Sequence, residues 1–413
     1  MRLLPLEAAA GRVEDFRSVF AIRDFRIYQI GNIASTLGFW MQRIAIGWVT
    51  WELTGSEALL GLVAFAELFP SILTGLWGGV LADRSSRIQV MLWGQLGVAC
   101  VSAAFWLAWA SGTLTPALIM VLMAALGALS GLTLPARLAM ASVLTPGPQI
   151  ATALAVNSTS FNLARFLGPA LAGVLLVGAG AGVIFALAML SYLLFAFCLH
   201  RLAPEDRPEA RTAASFPEAL SWLAGAGLVL AIMAVQLTQG LALRPASELF
   251  PAFADDVFDR GALGLGLLNA ALGIGAIIGA LAFAASGTRA QSLRQIFGGS
   301  LIFAASLAGF ALVGPFWVAL VMLVIQGAAM SSSNIAALTF VQRQTPEDRL
   351  GRILSIYTLV FRAAPALGAL AFGLGAESAG LRKATLFAAG LGTLVTVALL
   401  IASAKSEARH AQG

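Results

Sequence analysis

A small set of ionisable side chains stands deep inside long apolar runs, and it is there that chemistry would fall. Glu67 interrupts a run from Glu57 to Leu81. Arg43, with Gln42 beside it, interrupts one from Ile27 to Trp51. Arg165 follows Asn162 by one turn in a third run, and Arg244 and Glu248 are spaced i, i+4 in a fourth. An ionised group at mid-bilayer costs ~2.5–3.5 kcal/mol on insertion scales, so each needs a partner or a wet cavity. A glutamate facing an arginine at similar depth suits proton exchange. Burial favours the neutral acid and a guanidinium favours the carboxylate, so small movements load or release a proton. The alternative is a permanent ion pair that fixes helix packing. Arg244 and Glu248 line a cavity or outer gate, or else pair at the membrane surface. Pro245 and Pro251 predict a kink in that segment. Arg137 and Arg362 fall nearer span ends, where they snorkel, bond carbonyls of neighbouring helices, or take part in function.

The elements that hold these residues are set by composition. The chain has 413 residues, of which 59% are hydrophobic and only 11% charged. Soluble proteins carry about 25% charged residues. A mean hydropathy of +0.88 makes lipid the solvent for most side chains. Only helices and closed barrels satisfy their backbone groups in a bilayer. The runs are ~20 residues long and do not alternate, which selects helices. Breaks at Gly, Pro and charge clusters predict twelve spans: 27–51, 57–81, 88–110, 116–142, 150–176, 180–200, 226–252, 261–285, 292–313, 316–342, 352–375 and 380–403.

Residues Asp15 to Arg26 alternate charge with Phe, Val and Ile, and predict a short interfacial helix rather than a cleavable signal. Phe216 to Trp222 predicts a matching segment before the seventh span. Seventeen of the 25 Arg and Lys fall on the side holding both termini, and three (Arg260, Arg382, Lys383) on the other. That asymmetry places both termini of a multi-pass membrane protein in the cytoplasm.

Several functions are excluded or disfavoured. Two cysteines, Cys100 and Cys198, make no disulfide scaffold, and two peripheral histidines, His200 and His410, supply neither a metal site nor a hydrolytic triad. No phosphate-binding loop is present, so no ATPase is built in. No enzyme, no cofactor and no metal is expected. The pI of 9.9 reflects short basic loops and gives no reason to expect a nucleic-acid partner.

The longest polar stretch between spans, Arg201 to Pro217, reads as a linker. It separates residues 1–200 from 218–413, six spans each. The halves are alike. Thr145-Pro146 precedes a span carrying Arg165 and Pro169, and Thr345-Pro346 precedes one carrying Arg362 and Pro365. Both copies run in the same sense about 200 residues apart. The sharpest local signal is GGVLADRSSR, Gly78 to Arg87. Gly78 and Gly79 allow close helix approach. Asp83, with Arg84 and Arg87, puts charge at the cytoplasmic edge, where it latches a gate or merely caps a helix. The second-half copy keeps Gly279 and Arg289 but has Ala284 in place of the acid.

These residues resemble the major facilitator superfamily, whose Gly-x-x-x-Asp-Arg-x-x-Arg signature the Gly78 motif matches. More narrowly, Phe25 to Trp48, Asn157 to Gly173 and Thr345 to Ser355 resemble the bacterial efflux branch that includes the enterobactin exporter. The resemblance implies two parallel six-helix halves, alternating access around a central cavity, and proton-driven export of amphipathic small molecules by a monomer in the bacterial inner membrane. Gly168-Pro169 with Gly173 is similar to the antiporter motif, although the full pattern is absent. Two other readings stay open: an importer or facilitator, and a transport-inactive membrane scaffold.

Overall fold

The computed structural model describes residues 18–145, 147, 149–202, 216–286 and 293–410. Arg2, Arg12, Arg17, Arg289 and most of the 201–217 linker lie outside these residues. Among the described residues there is no strand. The helices are α1 (Arg23–Thr54), α2 (Glu57–Arg84), α3 (Arg87–Ala110), α4 (Pro116–Leu144), α5 (Ile150–Ala179) and α6 (Ala181–His200). They continue as a short α7 (Phe216–Gly225), then α8 (Gly227–Val257), α9 (Gly261–Ala285), α10 (Leu293–Leu312), α11 (Phe316–Gln344), α12 (Glu347–Ala379) and α13 (Leu381–His410).

Among the described residues, eleven of these helices, α2 to α6 and α8 to α13, are long and apolar enough to cross a bilayer. α1 has the length, at 32 residues, but a more polar face of Gln29, Asn32, Ser35, Thr36 and Gln42, all buried. Large apolar side chains point outward from the helices. Trp77 and Phe387 are each 73% exposed. Such a surface needs lipid rather than water around it.

Local chemistry explains the breaks. Thr115 accepts the Leu118 amide and Pro116 opens α4, a helix start that wastes no donor. Two single glycines turn the chain between consecutive spans. Gly180 (φ 78°) joins α5 to α6 and Gly380 (φ 88°) joins α12 to α13. Both have extended ψ, a conformation almost confined to glycine. The segment around Pro245 and Pro251 departs from a regular helix. α8 is α-helical to Thr238, makes a π turn over Gln239–Leu243, tightens to 3₁₀ over Arg244–Leu249 and ends in a second π turn, Phe253–Val257.

Contacts divide the described residues into two compact units, one from 1–46 and 70–210, the other from 47–69 and 211–413. The first has a core of Phe25, Tyr28, Met91, Met140, Phe195 and Leu199, at the Arg23 end of α1. Val19 and Phe25 are fully buried in it, so the apolar side of the predicted interfacial segment is sealed inside protein. The second has a core of Ile232, Phe297, Ala336, Val341 and Ile353. There α7 breaks at Ala226, and Leu223 packs inward.

Candidate functional site

In the first unit, polar side chains on one face of α1 recur at Gln29, Asn32 and Thr36, a helical period. They meet α4 and α5. Arg137 of α4 donates from Nε to Asn32 Oδ1 at 2.9 Å, and from Nη2 to Ser35 Oγ at 2.9 Å and Thr36 Oγ1 at 3.1 Å. Asn32 Nδ2 donates to Asn157 Oδ1 of α5 at 2.7 Å, and Gln29 Nε2 to Ser160 Oγ at 2.8 Å. The guanidinium also lies 5.4 Å from the Phe195 ring centroid. One arginine therefore organises three helices through side-chain oxygens. Its position along the span leaves snorkelling, carbonyl bonding and a functional role all open. The period-3/4 polar stripe on α1 is the sequence signal that could have found its partners.

A second group lies further along α1. The Arg43 guanidinium is 5.9 Å and that of Arg165 5.5 Å from the Trp40 ring centroid. Both arginines are half-buried, and the Phe161 ring meets Trp40 edge-on at 6.2 Å. Gly168 makes this approach possible, because a Cβ there would stand 2.5 Å from Trp40 Cβ. Two guanidinium groups on one indole make a cationic aromatic platform. Gln42 turns the other way and accepts from Ser102 Oγ of α3 at 2.9 Å. Asn162 is exposed and bonds Ser158 O of its own helix at 2.9 Å.

The second unit has its own polar core on α8, α11 and α12. Gln236 Nε2 donates to Asn334 Oδ1 at 2.9 Å and to the Tyr357 hydroxyl at 3.0 Å. Gln239 Nε2 donates to Ser333 Oγ at 3.2 Å. Amides stand where the first unit uses an arginine. Arg244 stacks on Phe361 at 4.3 Å and donates to its carbonyl at 3.4 Å. Glu248 and Arg362 are half-buried. Glu67, near the middle of α2, is only 5% exposed. Five amides in the apolar runs, Asn32, Asn157, Gln236, Gln239 and Asn334, thus bond between helices.

The Gly78 motif ends α2 and starts α3. A Cβ on Gly78 would overlap the backbone of Leu132 in α4, whereas Gly79 has nothing within 4 Å. Gly279 repeats the arrangement in the second unit, against Ala328 of α11. Asp83 and Arg84 are exposed and Arg87 is half-buried. The α3 cap is Ser86, which accepts the Gln89 amide at 3.4 Å.

Residues 17–412 match the family described as transmembrane secretion effector. The chain is 30% identical over 406 residues to the enterobactin exporter EntS of Escherichia coli O6:K15:H31 (strain 536 / UPEC), covering 94% of this chain and 91% of that protein. Its fold is similar to that of a POT peptide transporter, crystallised as a point mutant in complex with sulfate, at TM-score 0.74 and 15% identity, covering 94% and 98% of the two chains. It is also similar to a bacterial homologue of the human lysosomal transporter Spinster, crystallised inward-facing and unoccupied. There the TM-score is 0.68 at 16% identity, covering 94% and 96%.

Proposed function

The chain belongs to the transmembrane secretion effector family of major facilitator transporters, and from that premise we propose that it exports amphipathic small molecules, siderophore-like or drug-like, by proton-coupled antiport. It is a transporter and not an enzyme, and it is a multi-pass protein of the bacterial inner membrane. The proposed machine adds α1 to the eleven apolar helices, giving twelve spans with both termini cytoplasmic. Residues 1–200 and 218–413 form its two parallel six-helix halves, joined by the 201–217 linker. Alternate rocking of the halves exposes a midplane site to each face in turn.

The observation that carries this reading is the presence of deep charge. Arg43 and Arg165 converge on Trp40 in the apolar span region, and Glu67 is buried at mid-span. Such groups are costly in hydrocarbon and mark transport pathways. In this mechanism Glu67 carries the proton and Arg43 sets its affinity, with Gln42 extending the polar network. Arg165 and Asn162, with Arg244 and Glu248 in the second half, face the substrate path. Asp83, with Gly78, Gly79, Arg84 and Arg87, latches the cytoplasmic gate. The substrate class follows from the relatives, whose named cargo is enterobactin.

Proteoliposomes with an imposed pH gradient test the coupling. Glu67→Gln is expected to lower proton-driven uptake of a catecholate siderophore or lipophilic dye into inverted vesicles at least tenfold. Substrate–substrate exchange should persist, because binding is retained. Full proton-driven uptake by Glu67→Gln overturns the assignment of Glu67. Net flux in the opposite direction, from outside to cytoplasm, overturns export.

A further inference from the structure

Carboxylates tie helix ends together at one end of the second unit. Ser56 Oγ and the Ala58 amide both donate to Glu377 Oε2, at 3.0 and 3.1 Å. An acid from α12 thereby caps the N-terminus of α2, where the helix dipole favours negative charge. Trp51 Nε1 donates to Asp255 Oδ2 at 3.0 Å, tying the end of α1 to that of α8. Next to these bonds α2 and α12 cross at backbone distance. A Cβ on Gly373 would stand 2.7 Å from Glu57 O and 3.0 Å from Gly61 Cα, and one on Gly61 would overlap Ala369 O.

The Glu57 carboxyl group faces Glu377 within hydrogen-bonding range, with Asp256 as a further acidic neighbour. A cleft of about 470 Å³ beside them is lined by Glu57 and Asp256 and by Arg382 and Lys383 of α13. The charged groups facing the pair are therefore Asp255 and Asp256 from α8 and Arg382 and Lys383 from α13, while α1 contributes the Trp51 indole. Arg382 also donates to Val313 O at 3.4 Å.

An ionised carboxylate only accepts hydrogen bonds. Two carboxyl groups can therefore bond each other only when one of them holds a proton. The geometry points to a proton-operated latch at the extracytoplasmic end, in which a proton shared by Glu57 and Glu377 holds α2 against α12 and its loss lets the two helices part. The face assigned to the latch rests on the orientation in the proposed function. The sign suits antiport. After release outside, the empty carrier takes up a proton, and the proton favours closing the outer side. The Gly61–Gly373 crossing gives the closed state a definite geometry rather than a loose contact.

The test is a spin-label distance between Leu53→Cys and Ser378→Cys, both at exposed positions, on the full chain with Cys100→Ser in lipid nanodiscs. At pH 5.5 a single short distance is expected. At pH 8.5 a longer population should appear, at least threefold more abundant. Glu57→Gln, whose amide can donate without a proton, should hold the short distance at both values. Glu377→Gln removes the carboxylate and should also abolish the pH response. Identical distributions at both pH values in the parent, or a pH response retained in Glu57→Gln, overturn the latch. No transport is needed for this readout, so its failure is separate from a failure of the export reading. In sealed inverted vesicles, where the cytoplasmic face is outside, relaxation of the labels by an impermeant paramagnetic reagent added outside would overturn the assigned face.

Discussion

Arg137→Leu is expected to cost roughly 2–5 kcal/mol of stability and most of the monodisperse protein in mild detergent. The wild-type guanidinium serves Asn32, Ser35 and Thr36 at once. Leucine removes the donor and leaves three side-chain oxygens of α1 facing an apolar group. Hydrogen bonds to charged groups contribute about 1.5–3 kcal/mol each, and an orphaned buried acceptor loses its hydration as well. Measured interhelical bonds in membranes are weaker, about 0.6 kcal/mol on average, which sets the low end of the range. The melting midpoint by fluorescence-detected size exclusion reads the effect. Arg137→Lys should fall between, because one ammonium cannot span the positions of Nε and Nη2.

A second comparison separates loss of partners from loss of charge. If the cost is the orphaned oxygens, then Arg137→Leu combined with Asn32→Leu, Ser35→Ala and Thr36→Val should recover a good part of the melting midpoint. Replacing all partners with apolar groups is often nearly neutral. A wild-type midpoint for Arg137→Leu alone would remove the polar core from any role in holding α1, α4 and α5 together.

What could be read from the sequence depended on whether a residue announced itself against the apolar background. Gly78 did so through its motif, and the structure gives the reason in the backbone of Leu132. The irregularity of α8 was legible from Pro245 and Pro251, although its split into π and 3₁₀ turns was not. The break at Ala226 was legible from the polar segment before it. The face of each helix was harder. In lipid both the outward and inward faces are apolar, so hydropathy cannot separate Trp77, 73% exposed, from Phe105, fully buried. Ion depth was read from position along a span, but partner choice depends on rotation about the helix axis. That is why Gln42 turns toward Ser102, Asn162 bonds its own helix, and Arg137 proves to be an organising residue. The grouping of residues 47–69 with the second unit follows from long-range packing, such as Gly61 on Gly373, that no local pattern encodes.

Adjacent glycines of one motif provide the sharpest packing test. Gly78→Ala should destabilise the protein by about 1–3 kcal/mol and reduce transport severely, while Gly79→Ala should be neutral or slightly stabilising. The two substitutions add the same methyl group to the same helix. At Gly78 that methyl meets the oxygen, carbonyl carbon and Cα of Leu132, none of which can move without shifting α4. At Gly79 it enters open space, and alanine is the better helix former by about 1 kcal/mol. The crossing offers little slack elsewhere. A Cβ on Gly131 would overlap Ser71 O and Thr74 Oγ1, and Thr74 Oγ1 already donates to Ala128 O at 2.8 Å. Gly279→Ala should repeat the Gly78 result in the second unit, because its methyl would meet the Ala328 backbone in the same way. Equal melting midpoints and equal transport for Gly78→Ala and Gly79→Ala would mean that the α2–α4 contact is looser than backbone distance. Leucine at the two positions should widen the difference, since Gly79 can direct the larger side chain into open space and Gly78 cannot.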